Sequence, residues 1–246
     1  MNEFLLGAYW KARGLTLQEF ADLVRGFVQL LRKVHPAFAT LQWVGDRPDS
    51  SVRISDDLEN LRELIFRHSW ERRDIRGQWT IEGIPSGDAT NDVGFGFTLN
   101  TGKSSKEGGI TVGIRAGNPK PPVPNSVTIA FPGPEDERFE HRSFFDYQFL
   151  KGLFVETIRY WQPERAVVTA RDYSKLVYPA GPAKSGWLSY FADARAAELA
   201  RAFPTEPLEV PGTLLTLGPN VLSARDPDQL SVGIRLRDSL KASGLS

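Results

Sequence analysis

The chain has 246 residues, 41% of them hydrophobic and 24% charged, which suits one large domain or two small ones sharing a core. Thirty basic residues balance thirty acidic ones, so there is neither the basic excess of a dedicated nucleic-acid binder nor the strong acidity of a nucleic-acid mimic. With no cysteine, a disulfide framework, a thiolate metal site and a cysteine nucleophile are all excluded.

Phe4–Trp10 reads as a first strand. Thr16 followed by Glu19 has the pattern of a helix capping box, and Leu17, Phe20, Val24, Phe27, Leu31 and Val34 then recur at helical spacing until Pro36. The turn-rich VGDRPDSS (44–51) leads to a second helix predicted from Ser55, with Asp56 and Asp57 in its first turn and Leu58, Leu61 and Ile65 as its stripe. The segment 68–79, HSWERRDIRGQW, shows no period and is expected to be irregular.

Three runs of period two follow: Val93/Phe95/Phe97/Leu99, Ile110/Val112/Ile114 and Val127/Ile129/Phe131, joined by loop-like links. They predict an antiparallel meander. A third helix is expected from about Pro134 to Tyr160, a buried strand at 166–169, and further strands at Trp187–Phe191 and Thr213–Leu217. Asp226-Pro227 with Gln229 predicts the N-terminus of a last helix. The expectation is therefore a single α+β domain over 1–246, with a mixed, mainly antiparallel sheet, a central meander and about four helices.

The N-terminus, MNEFLLGAYWK, lacks the basic start of a signal peptide, and no window approaches the ~20 apolar residues of a membrane span. A cytoplasmic protein without membrane association is expected.

Catalytic motifs fail one after another. TGKSSK (101–106) contains Gly-Lys-Ser, but the glycine that a phosphate loop needs five residues earlier is Phe97, and a strand rather than a helix should follow. The glycines of GFG (94–96) lie inside a strand, where they would let another backbone approach closely. Three histidines, His35, His68 and His141, are scattered too widely for a zinc site. No G-x-S-x-G elbow exists, and no acidic residue precedes a Glu-x-Lys run as in restriction-type nucleases. No catalytic residue, cofactor or metal is expected.

Binding chemistry is better represented. The acidic run EDERFE (135–140) would stabilise the start of a helix through the macrodipole, or present Glu135, Asp136 and Glu137 to a basic partner. Asp56, Asp57 and Glu59 face the same two readings. Trp70 and Trp79 bracket an arginine-rich segment with Arg72 and Arg73, and tryptophan with arginine is typical of binding hot spots. In GPAKSGWLSYF (181–191), Gly181-Pro182 makes a turn and Gly186 makes room for Trp187 to enter a strand. This joint leaves Lys184 and Trp187 as candidate partner contacts.

Taken in order, GAYW (7–10), WERRDI (70–75), GFGFTLNTG (94–102), NSVTIAFP (125–132), WQPERAVVT (161–169), SGWLSYF (185–191), GTLLTLGP (212–219) and NVLSARDPDQLSVGIRLRDSL (220–240) resemble the immunity protein 52 family of bacterial polymorphic toxin systems. The resemblance implies an antidote that binds a cognate toxin protein, often one carrying a restriction-endonuclease-like nuclease domain and delivered between competing cells. It implies no catalytic residues and no direct nucleic-acid contact. The neutral charge departs from very acidic nuclease inhibitors, which speaks against simple mimicry of a DNA strand. Two other readings stay open on the residues alone: a hydrolase using a carboxylate pair, and a chaperone or scaffold for a secreted effector.

Overall fold

The computed structural model describes residues 2–44, 51–68, 72–73, 79–80, 86–120 and 124–245. In chain order the elements are β1 (Glu3–Trp10), α1 (Leu17–Val34), β2 (Gln42–Trp43), β3 (Val52–Arg53), α2 (Glu59–His68), β4 (Arg72–Arg73), β5 (Trp79–Thr80), β6 (Phe95–Asn100) and β7 (Thr111–Ala116). They continue with β8 (Asn125–Pro132), α3 (Tyr147–Trp161), β9 (Arg165–Ala170), α4 (Arg171–Val177), β10 (Leu188–Phe191), β11 (Thr205–Glu206), β12 (Thr213–Thr216) and α5 (Pro227–Ala242). The class is α+β. The chain clusters into two compact units: one of Met1–Trp10, Ser105–Gly109 and Thr128–Ser246, the other of Lys11–Ser104 and Ile110–Val127.

In the first unit the strand order is β11-β12-β10-β9-β1-β8. β1 pairs antiparallel with β9 (Leu6↔Val168), β9 with β10 (Val168↔Leu188) and β10 with β12 (Leu188↔Thr216). Because side chains alternate along a strand, Phe4, Leu6, Ala8 and Trp10 share one face of β1, and all four are buried. Trp10 stacks on Trp161 of α3 at 5.2 Å between ring centroids, which places α3 against that face. Phe4 packs against Phe131 and Phe145, and Phe131 in turn against Phe139 and Phe144. A second cluster gathers Phe191, Ala196, Leu199, Phe203 and Leu215 around Leu236 and Leu240 of α5.

In the second unit β6 pairs antiparallel with β7 (Phe97↔Ile114) and with β2, and β2 with β3. The capping box closes α1 as its spacing predicts: Glu19 N–H donates to Thr16 Oγ1 at 3.2 Å, and Thr16 N–H donates to Glu19 Oε2 at 2.7 Å. Leu17, Phe20, Val24, Phe27 and Leu31 are all fully buried, with Phe20 against Phe95 of β6 at 5.3 Å. The meander strands β6, β7 and β8 lie where the period-two runs put them; Val93, though, is 77% exposed and precedes β6. Of the two GFG glycines, Gly94 is the one with a close approach. A side chain there would meet the Asn118 backbone nitrogen at 2.6 Å, whereas Gly96 faces open space.

Helix starts differ from expectation in two places, for one physical reason. α2 begins at Glu59, not Ser55, because polar side chains capture the backbone first: Asp57 Oδ1 accepts Ser55 Oγ–H at 2.6 Å and Glu59 N–H at 3.1 Å, and Leu58 takes a φ of 62°. α3 begins at Tyr147, not Pro134, with Asp146 as its cap accepting Phe149 N–H at 2.8 Å. The residues before it are turns and a 3-10 segment that drop Phe139 and Phe144 into the aromatic core. Among the described residues there are five α-helices rather than four; the seven-residue α4 is too short for a helical period to register in the sequence.

Candidate interaction surface

The two acidic segments belong to different units, and each is shaped by an arginine. In the second unit Arg32, on the last turn of α1, reaches into the turn before α2. Its Nη1 donates to the carbonyls of Ser55 and Asp56, both at 3.0 Å, and its Nη2 donates to that of Ile54 at 3.1 Å. Three carbonyls on one planar fork hold the turn. Asp56, Asp57 and Glu59 are exposed, with Asp56 Oδ1 at 3.7 Å from Arg53 Nη2. The Ser55 hydroxyl, and then the Glu59 amide, hold the Asp57 carboxyl below its ordinary range, so it is charged at neutral pH.

In the first unit Pro134–Glu140 is a loop. Its carboxylates therefore do not serve a helix dipole, as the sequence pattern suggests they would. The Gly133 amide ties it to the Asn2 carbonyl at 2.9 Å. Asp136 is consumed internally: Arg138 donates to it through the backbone amide (3.1 Å), Nε (2.9 Å) and Nη2 (2.8 Å). Its side chain is only 6% exposed, and the Arg138 hydrogen bonds hold its pKa down to about 2. Arg142 donates to the Pro134 and Asp136 carbonyls from beneath, and Arg138 to that of Lys106. Glu135 and Glu137 remain exposed beside an open recess of about 520 Å³ lined by Asn2, Gly133 and residues 135–138. What this loop offers a partner is three exposed glutamates, Glu135, Glu137 and Glu140, with an arginine among them. The full acidic run expected from the sequence is absent.

Trp187 is misplaced as a partner contact. It is 0% exposed, donates Nε1–H to the Gly218 carbonyl at 2.9 Å, and packs on Phe4 and Tyr147. Gly186 is the reason it enters so deeply, since a side chain there would come within 2.2 Å of the Val168 carbonyl oxygen. Lys184 is half-buried. Arg72 and Arg73 lie in β4, which pairs with β5 as a two-stranded ribbon (Arg72↔Thr80, Arg73↔Trp79) where an irregular segment was expected. Trp70 lies outside the described residues.

No signal in the sequence marks the partners of Arg32, because they are main-chain carbonyls 22–24 residues away. Among the described residues no three His, Cys, Asp or Glu side chains come together as a metal site would require, and no helix is long and apolar enough to cross a membrane.

The chain is thus an α+β protein of mainly antiparallel strands whose two acidic turns are each held by an arginine. The chain belongs to the immunity protein 52 family, whose model matches residues 2–246. Among solved structures it is similar to the Pseudomonas aeruginosa T6SS protein PA0821, at a TM-score of 0.55 and 12% identity, covering 96% of this chain and 76% of that one. At that identity the likeness concerns the fold. A comparison with curated proteins finds no match.

Proposed function

We propose that this protein is the antidote to a cognate antibacterial toxin, and that it acts by tight, non-catalytic association in the cytoplasm of the cell that makes the toxin. The observation that carries the reading is the family match across residues 2–246. The T6SS description of PA0821 supports a toxin delivered by type VI secretion, and a restriction-endonuclease-like nuclease is the toxin class favoured here. Protection against a lethal nuclease requires a large interface with a few buried anchors and a polar rim. The exposed carboxylates Asp56, Asp57 and Glu59 of one unit, or Glu135 and Glu137 of the other, are the proposed rim charges, and Arg72, Arg73 and Trp70 the proposed anchors. Covering the toxin's cleft and holding it in an inactive assembly are both compatible with such a surface.

The test is co-expression with the neighbouring toxin gene followed by titration of the purified pair. Rescue of growth and nanomolar affinity are expected. Growth arrest despite full expression of this chain, or substrate turnover by this chain alone, would end the proposal.

A further inference from the structure

The second glycine of GFG has no role inside the molecule. Gly96 lies on the exposed face of β6, between the buried Phe95 and Phe97, and a side chain there would meet nothing within 4 Å. Glycine weakens the interior of a strand, and where no internal crowding requires it, it often marks the close approach of an outside body. Directly across the ladder stands Arg115 of β7, also exposed. Among the described residues Arg115 makes no ion pair.

Gly96 and Arg115 line one recess of about 510 Å³ together with Val93, Gly94 and Pro124. Val93 is 77% exposed, the most of any large hydrophobic among the described residues. Asn91 fixes it there: its side-chain oxygen accepts Val93 N–H at 3.0 Å, and its carbonyl accepts Gly94 N–H at 3.0 Å. The Asn118–Asn125 side of the recess is equally fixed. Asn125, 1% exposed, accepts Asn118 N–H at 2.9 Å and donates to the Lys11 carbonyl at 2.8 Å. Lys120 and Asp92 also border the recess and neutralise each other at 2.6 Å, so Arg115 leaves its rim positive.

We propose, on the antidote reading above, that this recess is an anchor pocket for the toxin. It takes one apolar side chain of the toxin over Gly96 and against Val93, while an acidic residue of the toxin beside that side chain pairs with Arg115. A small-molecule site converges several polar groups on its ligand. Here one free cation borders a floor of main chain and apolar atoms, the composition of a protein hot spot with a charged edge. The planar fork of Arg115 matches a carboxylate, and the turns that hold the walls form the pocket before the partner arrives.

The full chain is titrated against the purified toxin of the neighbouring gene. Gly96→Leu fills the recess without meeting a neighbour, so its thermal midpoint should not fall below that of the parent protein. Its dissociation constant for the toxin should rise about tenfold or more. Arg115→Glu should weaken binding comparably, and that loss should shrink as salt is added, whereas the Gly96→Leu loss should persist. Arg115→Glu changes an exposed side chain, so it keeps the test decisive if Gly96→Leu fails to fold. Parent-level affinity in folded Gly96→Leu, or in Arg115→Glu, would overturn the pocket and leave the antidote reading standing. Absence of binding by the parent protein would overturn both.

Discussion

Arg138 bends back on Asp136 two residues before it, meeting one carboxylate with its own amide, Nε and Nη2. The pair turns an acidic run into a closed loop, and it ties stability to pH. The folded Asp136 carboxyl is held to about 2, against about 3.9 in an unfolded chain. A depressed carboxyl contributes stability that is complete above the unfolded value and is lost as pH falls through the folded one. Asp136→Asn should therefore lower the denaturation midpoint at pH 7, and the gap from the parent protein should close between roughly pH 4 and pH 2. A gap independent of pH would mean that the charge is immaterial.

Arg32 holds the turn before α2 by three carbonyls. Arg32→Ala should cost about 2 kcal/mol or more, because the carbonyls lose charged donors inside the packed side of the turn. Urea unfolding measures the cost. Amide hydrogen exchange at 54–60 should speed up selectively, and unchanged exchange there would show that the fork does not hold the turn.

Trp187→Ala should destabilise by roughly 3–5 kcal/mol, the range for truncating a large buried aromatic. Toxin affinity of the fraction that stays folded should be unaltered, since the ring is shut inside the first unit. Gly186→Ala should act in the same direction by forcing β9 and the approach to β10 apart, readable as a lowered thermal midpoint.

Reversing Glu135 and Glu137 to lysine should slow association with the toxin, with the difference fading as salt is raised above about 0.15 M, as expected of rim charges. The same reversal at Asp56, Asp57 and Glu59 examines the other unit. Stopped-flow association rates decide which segment faces the toxin, and unchanged rates for both sets would remove the acidic rim from the proposal.

The proposal that 1–246 is a single domain is a matter for calorimetry. One transition with equal calorimetric and van 't Hoff enthalpies is expected. Two resolved transitions would instead divide the chain.

The capping box at Thr16 and Glu19, the buried stripe of α1, the period-two meander and the Asp226-Pro227 start of α5 could all be read directly. Each rests on contacts between residues a few positions apart, or on the alternation of one strand. The starts of α2 and α3 were not legible, because Ser55, Asp57 and Asp136 had to choose between capping a helix and bonding to a loop. Arg138 and the pull of Phe139 and Phe144 into the aromatic core settled that choice in α3.

The candidate surface divides along the same line. Residue types alone marked the exposed carboxylates and the family pattern, since charge and order along the chain need no coordinates. That Trp187 belongs to the core depends on partners tens of residues away, and which carboxylates stay available depends on the loop geometry that folds Arg138 back onto Asp136. Burial and pairing are properties of the folded neighbourhood, and one-dimensional spacing carries no record of them.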